Sequence, residues 1–115
     1  MEDRYNGWRN YETWNLKLWI DNDQGLAEHW QEAAGAAFDD TDDAADADIR
    51  KREAAEALAG QLKIHVDFHA DVLMALANEG PAITGFYTDL MTHAIGAVDY
   101  REIAEALIED LGGYE

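Results

Sequence analysis

Apolar residues recur every three or four positions along most of the chain, the spacing of one helix face and not the alternation of a half-buried strand. The first such run, about 10–21, carries Tyr11, Trp14 and Leu18 at i, i+3 and i+7, widened by Leu16, Trp19 and Ile20. Asn10 stands before it as a side chain whose oxygen accepts a first-turn amide, and Glu12 puts negative charge at the positive end of the helix dipole. The run Asp21-Asn22-Asp23 ends the pattern. Asp23 is placed to cap a second helix over about 24–37, where Leu26, Trp30, Ala33, Ala34, Ala37 and Phe38 keep the period. Residues 1–9 read as an arm, with Trp8 stapled against the first helix.

After a turn at Asp39-Asp-Thr-Asp-Asp43, in which Thr41 or Asp42 is placed as a cap, the pattern stays helical from about 43 to 78. Ala55, Ala59, Leu62, Val66, His69, Leu73 and Leu76 step by 4, 3, 4, 3, 4, 3, a seam of coiled-coil type. About 36 residues extend roughly 54 Å, enough to outrun a small globule or to need a second copy over the seam. Gly60 lies inside it, costs about 1 kcal/mol relative to alanine and permits a bend. The break at Asn78-Glu-Gly-Pro81 is clearest, with Gly80 suited to a left-handed cap and Pro81 unable to continue the helix. A fourth helix, about 84–96, carries Phe86, Tyr87, Leu90, Met91, Ala94 and Ile95. Asp99 with Glu102 makes a capping-box-like start to a fifth, with Ile103, Ala104, Leu107, Ile108 and Leu111 facing the core and Gly112-Gly113 as its end. The expected fold is all-α: about five helices bundled round one long central helix (about 43–78), in a single acidic domain over residues 1–115.

Charge narrows the function more than the fold. The 115 residues carry 25 Asp and Glu against 8 Lys and Arg, a net charge of −17. Residues 20–48 hold ten acids and residues 64–100 hold five, with no Lys or Arg in either stretch. Direct nucleic-acid binding, which relies on cations against phosphates, is therefore not expected, and neither is an anionic membrane. The absence of cysteine removes disulfides and thiolate chemistry. No apolar run reaches bilayer-spanning length and the N-terminus has no signal-peptide pattern, so the expected location is the cytoplasm.

Candidate chemistry is sparse. Asp21, Asp23 and Gly25 with Glu32 form a weak echo of a calcium loop, but Leu26 stands where that loop needs glycine, and helix caps explain the aspartates better. His65 and His69 are spaced i, i+4, a weak zinc candidate that lacks the glutamate of a zincin helix. No catalytic constellation or cofactor motif is present, so neither an enzymatic role nor a cofactor is expected. Trp8, Tyr11, Trp14, Trp19 and Trp30 read as a structural aromatic cluster, with an exposed partner-gripping patch as the alternative.

Two blocks carry a family resemblance. Asn10-Tyr-Glu-Thr-Trp14 with Leu18-Trp19 and Asn22-Asp23 resembles the N-terminal signature of a family of small uncharacterised proteins of phages, bacteria and archaea. Tyr87-Thr-Asp-Leu90 through Val98 to Glu102-Ile-Ala-Glu105 resembles its C-terminal block, with Asp99-Tyr100 standing where that block has an Asn-Trp pair. Together the blocks span about half the chain. The resemblance implies an α-helical fold and a mobile-element setting, and brings no activity with it.

The acidic cluster Asp39, Asp40, Asp42, Asp43, Asp46 and Asp48, continued by Glu53 and Glu56, lies outside both blocks. It reads as salt adaptation, as a charged loop without a role, or as mimicry of nucleic acid. Duplex DNA carries one charge per about 1.7 Å, so a charge of −17 matches roughly 29 Å of duplex. The leading expectation is a non-enzymatic decoy that presents these carboxylates to a basic nucleic-acid-handling protein of the host, such as a restriction or CRISPR effector. The alternative is a salt-adapted helical scaffold or oligomerisation module, forming a homodimer through the 55–76 seam.

Overall fold

Side-chain caps set most of the helix starts. Asn10 Oδ1 accepts the Thr13 N–H at 2.9 Å and opens α1 (Tyr11–Asn22). Asp23 Oδ1 accepts the Leu26 N–H at 2.9 Å and opens α2 (Gln24–Asp39). Asp46 Oδ1 accepts the Ile49 N–H at 3.0 Å at the start of α3 (Ala47–Ala77). Following the Pro81 turn, α4 (Thr84–Ala97) begins without a side-chain cap, and Asp99 Oδ1 accepts the Glu102 N–H at 3.1 Å to open α5 (Tyr100–Glu109). The computed structural model describes residues 4–77 and 79–111; among these, extended pairing is limited to an isolated Tyr5–Trp8 bridge. The chain is an all-α bundle of five helices with one long central helix.

Two local expectations are corrected, and one left open at Gly60 is closed. First, α3 starts at Ala47 and not near 43, because both expected caps belong to the turn: Thr41 Oγ1 donates to the Phe38 carbonyl at 2.6 Å, and Asp42 Oδ1 accepts the Ala44 N–H at 2.9 Å. Second, Gly80 does not take a left-handed cap; a Cβ there would lie 3.2 Å from Thr84 Cγ2 and 3.3 Å from the Ala77 carbonyl oxygen, so close approach is what favours glycine. Third, α3 runs through Gly60 without a break, and its 31 residues span about 46 Å at the usual helical rise, most of the molecule's 55 Å length. The expected end at Gly112-Gly113 lies outside the described residues, as does the start of the arm; α5 itself closes with the Asp110 N–H on the Ala106 carbonyl.

The core sits on the first half of α3. Ala54, Ala55, Leu58 and Leu62 are buried there against Trp30, Ala34 and Phe38 of α2, Ile20 of α1, and Ile103, Ala104, Leu107 and Ile108 of α5. Small alanines at the contact let the helix backbones approach closely. The N-terminal half of the expected seam is thus covered within one chain.

The core face of α1 is rotated from the expected Tyr11/Trp14/Leu18 stripe. Its buried residues are Thr13, Lys17 and Ile20. Lys17 buries its stem and carries its ammonium out to the Asp21 carboxylate, at 2.7 and 2.8 Å. Thr13 is satisfied on both sides of its hydroxyl, donating to Asn10 Oδ1 at 2.6 Å and accepting the Asp99 N–H at 2.8 Å. Glu102 completes α5's start in an unexpected way. Its carboxylate does not reach back to the Asp99 N–H but accepts the Arg9 N–H at 2.8 Å and Arg4 Nη1 at 2.7 Å.

The arm folds on itself through Asn6 and Gly7, both at positive φ, the backbone of a tight two-residue turn in which Asn-Gly is favoured. Tyr5 and Trp8 exchange backbone hydrogen bonds at 2.7 and 2.8 Å across it. Trp8 thereby packs on the core, and the Tyr5 ring reaches Tyr11 at 5.2 Å and Trp14 at 5.0 Å.

Candidate functional site

Three surface features have the residue chemistry for recognition, and α3 separates two of them by its length. At its N-terminal end, Asp39, Asp40, Asp42, Asp43, Asp46 and Asp48 are all exposed, followed by exposed Glu53 and Glu56. This connection is held in shape by Arg50. Its guanidinium lies 4.3 Å over the Phe38 ring and donates to Thr41 Oγ1 at 2.8 Å, to the Phe38 carbonyl at 3.3 Å and to Asp43 Oδ1 at 3.3 Å. Asp42 and Asp46 each spend one oxygen on a backbone amide. Among the described residues, seven of the eight Lys and Arg side chains pair with acids of their own chain: Arg4, Arg9, Lys17, Arg50, Lys51, Lys63 and Arg101. None of these ion pairs involves Glu28, Glu32 or Asp39, which line a shallow groove on the outer side of α2 with Gln31, Gly35 and Ala36. The anions are densest at this end, yet every helix also carries some.

The second feature is a histidine and tryptophan group at the α2–α3 contact. The His65 and His69 rings are 4.4 Å apart, and His29 from α2 lies 6.3 Å from His65, with Trp30 edge-on to both His29 and His65 at 4.8 and 5.3 Å. Burial, and then the neighbouring His69 and His29, push the His65 pKa below its ordinary value. Among the described residues no group of three or more His, Cys, Asp or Glu is placed to hold a metal ion. The calcium-loop aspartates act locally: Asp21 pairs with Lys17 and Asp23 caps α2. Periodicity gave no sign that His29 would join the pair.

The third feature is apolar and sits at the other end of α3. α4 buries none of its residues, although it carries Phe86, Tyr87, Leu90, Met91, Ala94 and Ile95. Val72, Leu73 and Leu76 of α3 and Phe86, Tyr87 and Leu90 of α4 are each 46–64% exposed. The seam residues Ala55 and Leu62 are covered; Leu73 and Leu76 are not. Periodicity identifies an apolar face but does not say whether another helix is left to cover it.

The five expected aromatic residues do not form one cluster. Trp30 is buried and Trp8 packs on the core, Tyr11 and Trp14 gather with Tyr5 at the periphery, and Trp19 is 64% exposed and stands apart. Among the described residues no helix is long and apolar enough to cross a membrane.

No curated protein and no solved structure matches the chain. A family model matches residues 1–111, a span that takes in the acidic connection and the apolar hairpin. With nearly its whole length matched, the chain belongs to a family of unknown function, DUF7249.

Proposed function

We propose that this chain is a non-enzymatic protein-binding module that docks through the apolar face of the α3–α4 hairpin, its charge serving solubility. The observation that carries this reading is the set of six large apolar side chains, each about half or more exposed, gathered on two neighbouring helices. A contiguous patch of this kind marks an interaction surface, whereas apolar residues scattered singly mean nothing. The acids on every helix fit a solubility role better than a single recognition ribbon. The test is binding of an apolar fluorescent dye by the dilute, monomeric protein. Wild type is expected to bind it and Leu76→Glu/Phe86→Glu to lose it; a monomer that leaves the dye free overturns the reading.

A second reading is favoured by the acidic connection: a decoy, phage or mobile-element encoded, whose carboxylates stand in for phosphates in the groove of a basic nucleic-acid-handling protein. Six aspartates concentrated in and beside the α2–α3 connection, of which only Asp43 pairs with an arginine among the described residues, support it. Such a decoy displaces duplex DNA from a restriction or CRISPR effector at low salt and loses that capacity steeply as salt rises, because screening shortens the reach of exposed charge. Displacement that is absent, or insensitive to salt, excludes it.

A further inference from the structure

We propose that the occupant of the apolar hairpin face is a second copy of this chain, docked hairpin to hairpin about a two-fold axis; this inference rests on the binding reading above.

The hairpin has two unlike sides. Ala70, Met74 and Ala77 are the buried or half-buried positions of late α3, and of the half-buried α4 positions Thr84, Thr88, Met91, Ala94, Ile95 and Ala97, the set Thr84, Thr88, Met91 and Ile95 shares one face, which marks where the two helices meet. At about 100° per residue, Leu73 and Leu76 fall to one side of that line on α3 and Asp67 and Asp71 to the other, with Val72 and the exposed Phe68 along the outer edge between them. On α4 the same construction sends Phe86, Tyr87 and Leu90 to one side and Asp89, Thr92 and Gly96 to the other. The short 79–83 turn makes the helices antiparallel, which brings both apolar sets out on one surface and the carboxylates on the opposite one. The groove on that opposite surface is lined by Asp67, Asp71, Met74, Thr92 and Gly96, with Thr92 Oγ1 3.8 Å from Met74 Sδ.

Area, shape and charge each select a second copy. Taking roughly 150–250 Å² for a large apolar side chain, the six residues with Ile83 expose about 800 Å², close to the ~800 Å² per partner of a standard stable interface. A two-helix hairpin with one apolar face is half of a four-helix bundle, and a second hairpin of the same length and pattern completes it. A two-fold contact asks only that the surface complement itself. Two chains of charge −17 repel over most of their surface, and this carboxylate-free face is where they meet at least electrostatic cost. With the two-fold axis set across α3, the aspartate-rich connections, each about 40 Å from the face along α3, lie at opposite ends of the assembly. An anionic lipid surface fits poorly, since residues 64–100 contain no Lys or Arg to meet the headgroups.

The test is the solution mass of the full chain by light scattering, from submicromolar to hundreds of micromolar, at moderate and high salt. Wild type is expected to reach twice the 12.9 kDa chain mass, and more readily at high salt, where repulsion is screened. Leu76→Glu/Phe86→Glu is expected to stay at the single-chain mass with an unchanged helical spectrum, and Asp71→Lys on the opposite side to keep the doubled mass. Tyr87→Cys, placed in a chain with no native cysteine, gives an independent readout, with an expected disulfide-linked pair under oxidation. Wild type at the single-chain mass over the whole range overturns the proposal, as does a doubled mass that survives Leu76→Glu/Phe86→Glu. In the first case the dye separates the two ideas: a dye-binding monomer removes self-association and leaves the docking face standing, while a monomer that binds no dye removes both.

Discussion

The fully buried hydroxyl of Thr13 accepts the Asp99 N–H at 2.8 Å and gives its own proton to Asn10 Oδ1 at 2.6 Å. One side chain therefore ties the first turn of α1 to the first turn of α5. Asn10 adds a second tie, its Nδ2 donating to the Ala97 carbonyl at 2.6 Å, and Glu102 adds a third through Arg9 and Arg4. The segments around Asn10 and around Asp99 meet at this clasp. Their polar residues close helix ends, and that role requires no chemistry on a substrate.

Thr13→Val keeps the shape and removes both hydroxyl bonds, leaving the Asp99 N–H without its partner. A buried unsatisfied amide costs about 1–3 kcal/mol, so urea unfolding is expected to show a loss of that size. Thr13→Ser keeps the hydroxyl and loses only a methyl group, and is expected to cost less. Equal losses in the two variants would mean that packing and not the hydrogen bonds holds α1 to α5.

Gly60→Ala tests the continuity of α3. The residue is exposed within an unbroken helix, and a Cβ placed there has nothing within 4 Å. Alanine is expected to raise stability by about 0.5–1 kcal/mol, the intrinsic helical advantage over glycine. A fall in melting temperature would show that the helix bends at this point in solution.

What the residue pattern revealed, and what it hid, divides along physical lines. Caps depend on neighbours within a turn, so Asn10, Asp23 and Asp99 were legible as helix starts. Asp46 was missed because all five residues from 39 to 43 offer the same chemistry, and which of them the turn consumes depends on tertiary contacts such as Arg50 on Thr41. The α1 face was misjudged because Thr13 and Lys17 look like surface residues until partners 86 and 4 positions away satisfy them. The exposed hairpin was legible as apolar but not as uncovered, since covering depends on how many helices the bundle has to spare.

The acidic connection gives a pair of opposed expectations. Asp46→Ala removes the cap of α3 and is expected to cost about 1 kcal/mol despite relieving charge. Asp39→Asn/Asp40→Asn removes charge while leaving the backbone C-cap bonds of Asp40 in place, and is expected to raise the melting temperature at low salt, an effect that fades at high salt. Arg50→Lys keeps the charge but loses the planar fork that reaches Thr41, Phe38 and Asp43 together, and is expected to cost about 1–2 kcal/mol in thermal or urea unfolding. Stability unchanged by Arg50→Lys would mean that the connection keeps its shape without that fork.

The His65 environment makes a pH prediction whose sign follows from proton counting. Burial first, and then the neighbouring His69 and His29, hold its pKa below the ordinary 6.5. Between that depressed folded value and 6.5 the unfolded chain binds a proton that the folded chain refuses, so stability rises with pH across the window. The stabilisation is fully present above about 6.5 and drains away as the pH falls through 6.5 toward the folded value. Melting temperatures measured from about pH 7 down to about pH 5.5 stay above the ordinary carboxylate range, and comparison with His65→Gln separates the share of His65 from that of the other three histidines. Wild type is expected to lose stability over that interval and His65→Gln to lose less. An identical slope in the two proteins would place the titration elsewhere, and a stability that rises on acidification would mean that His65 gains a carboxylate partner in solution which the α2–α3 contact does not provide.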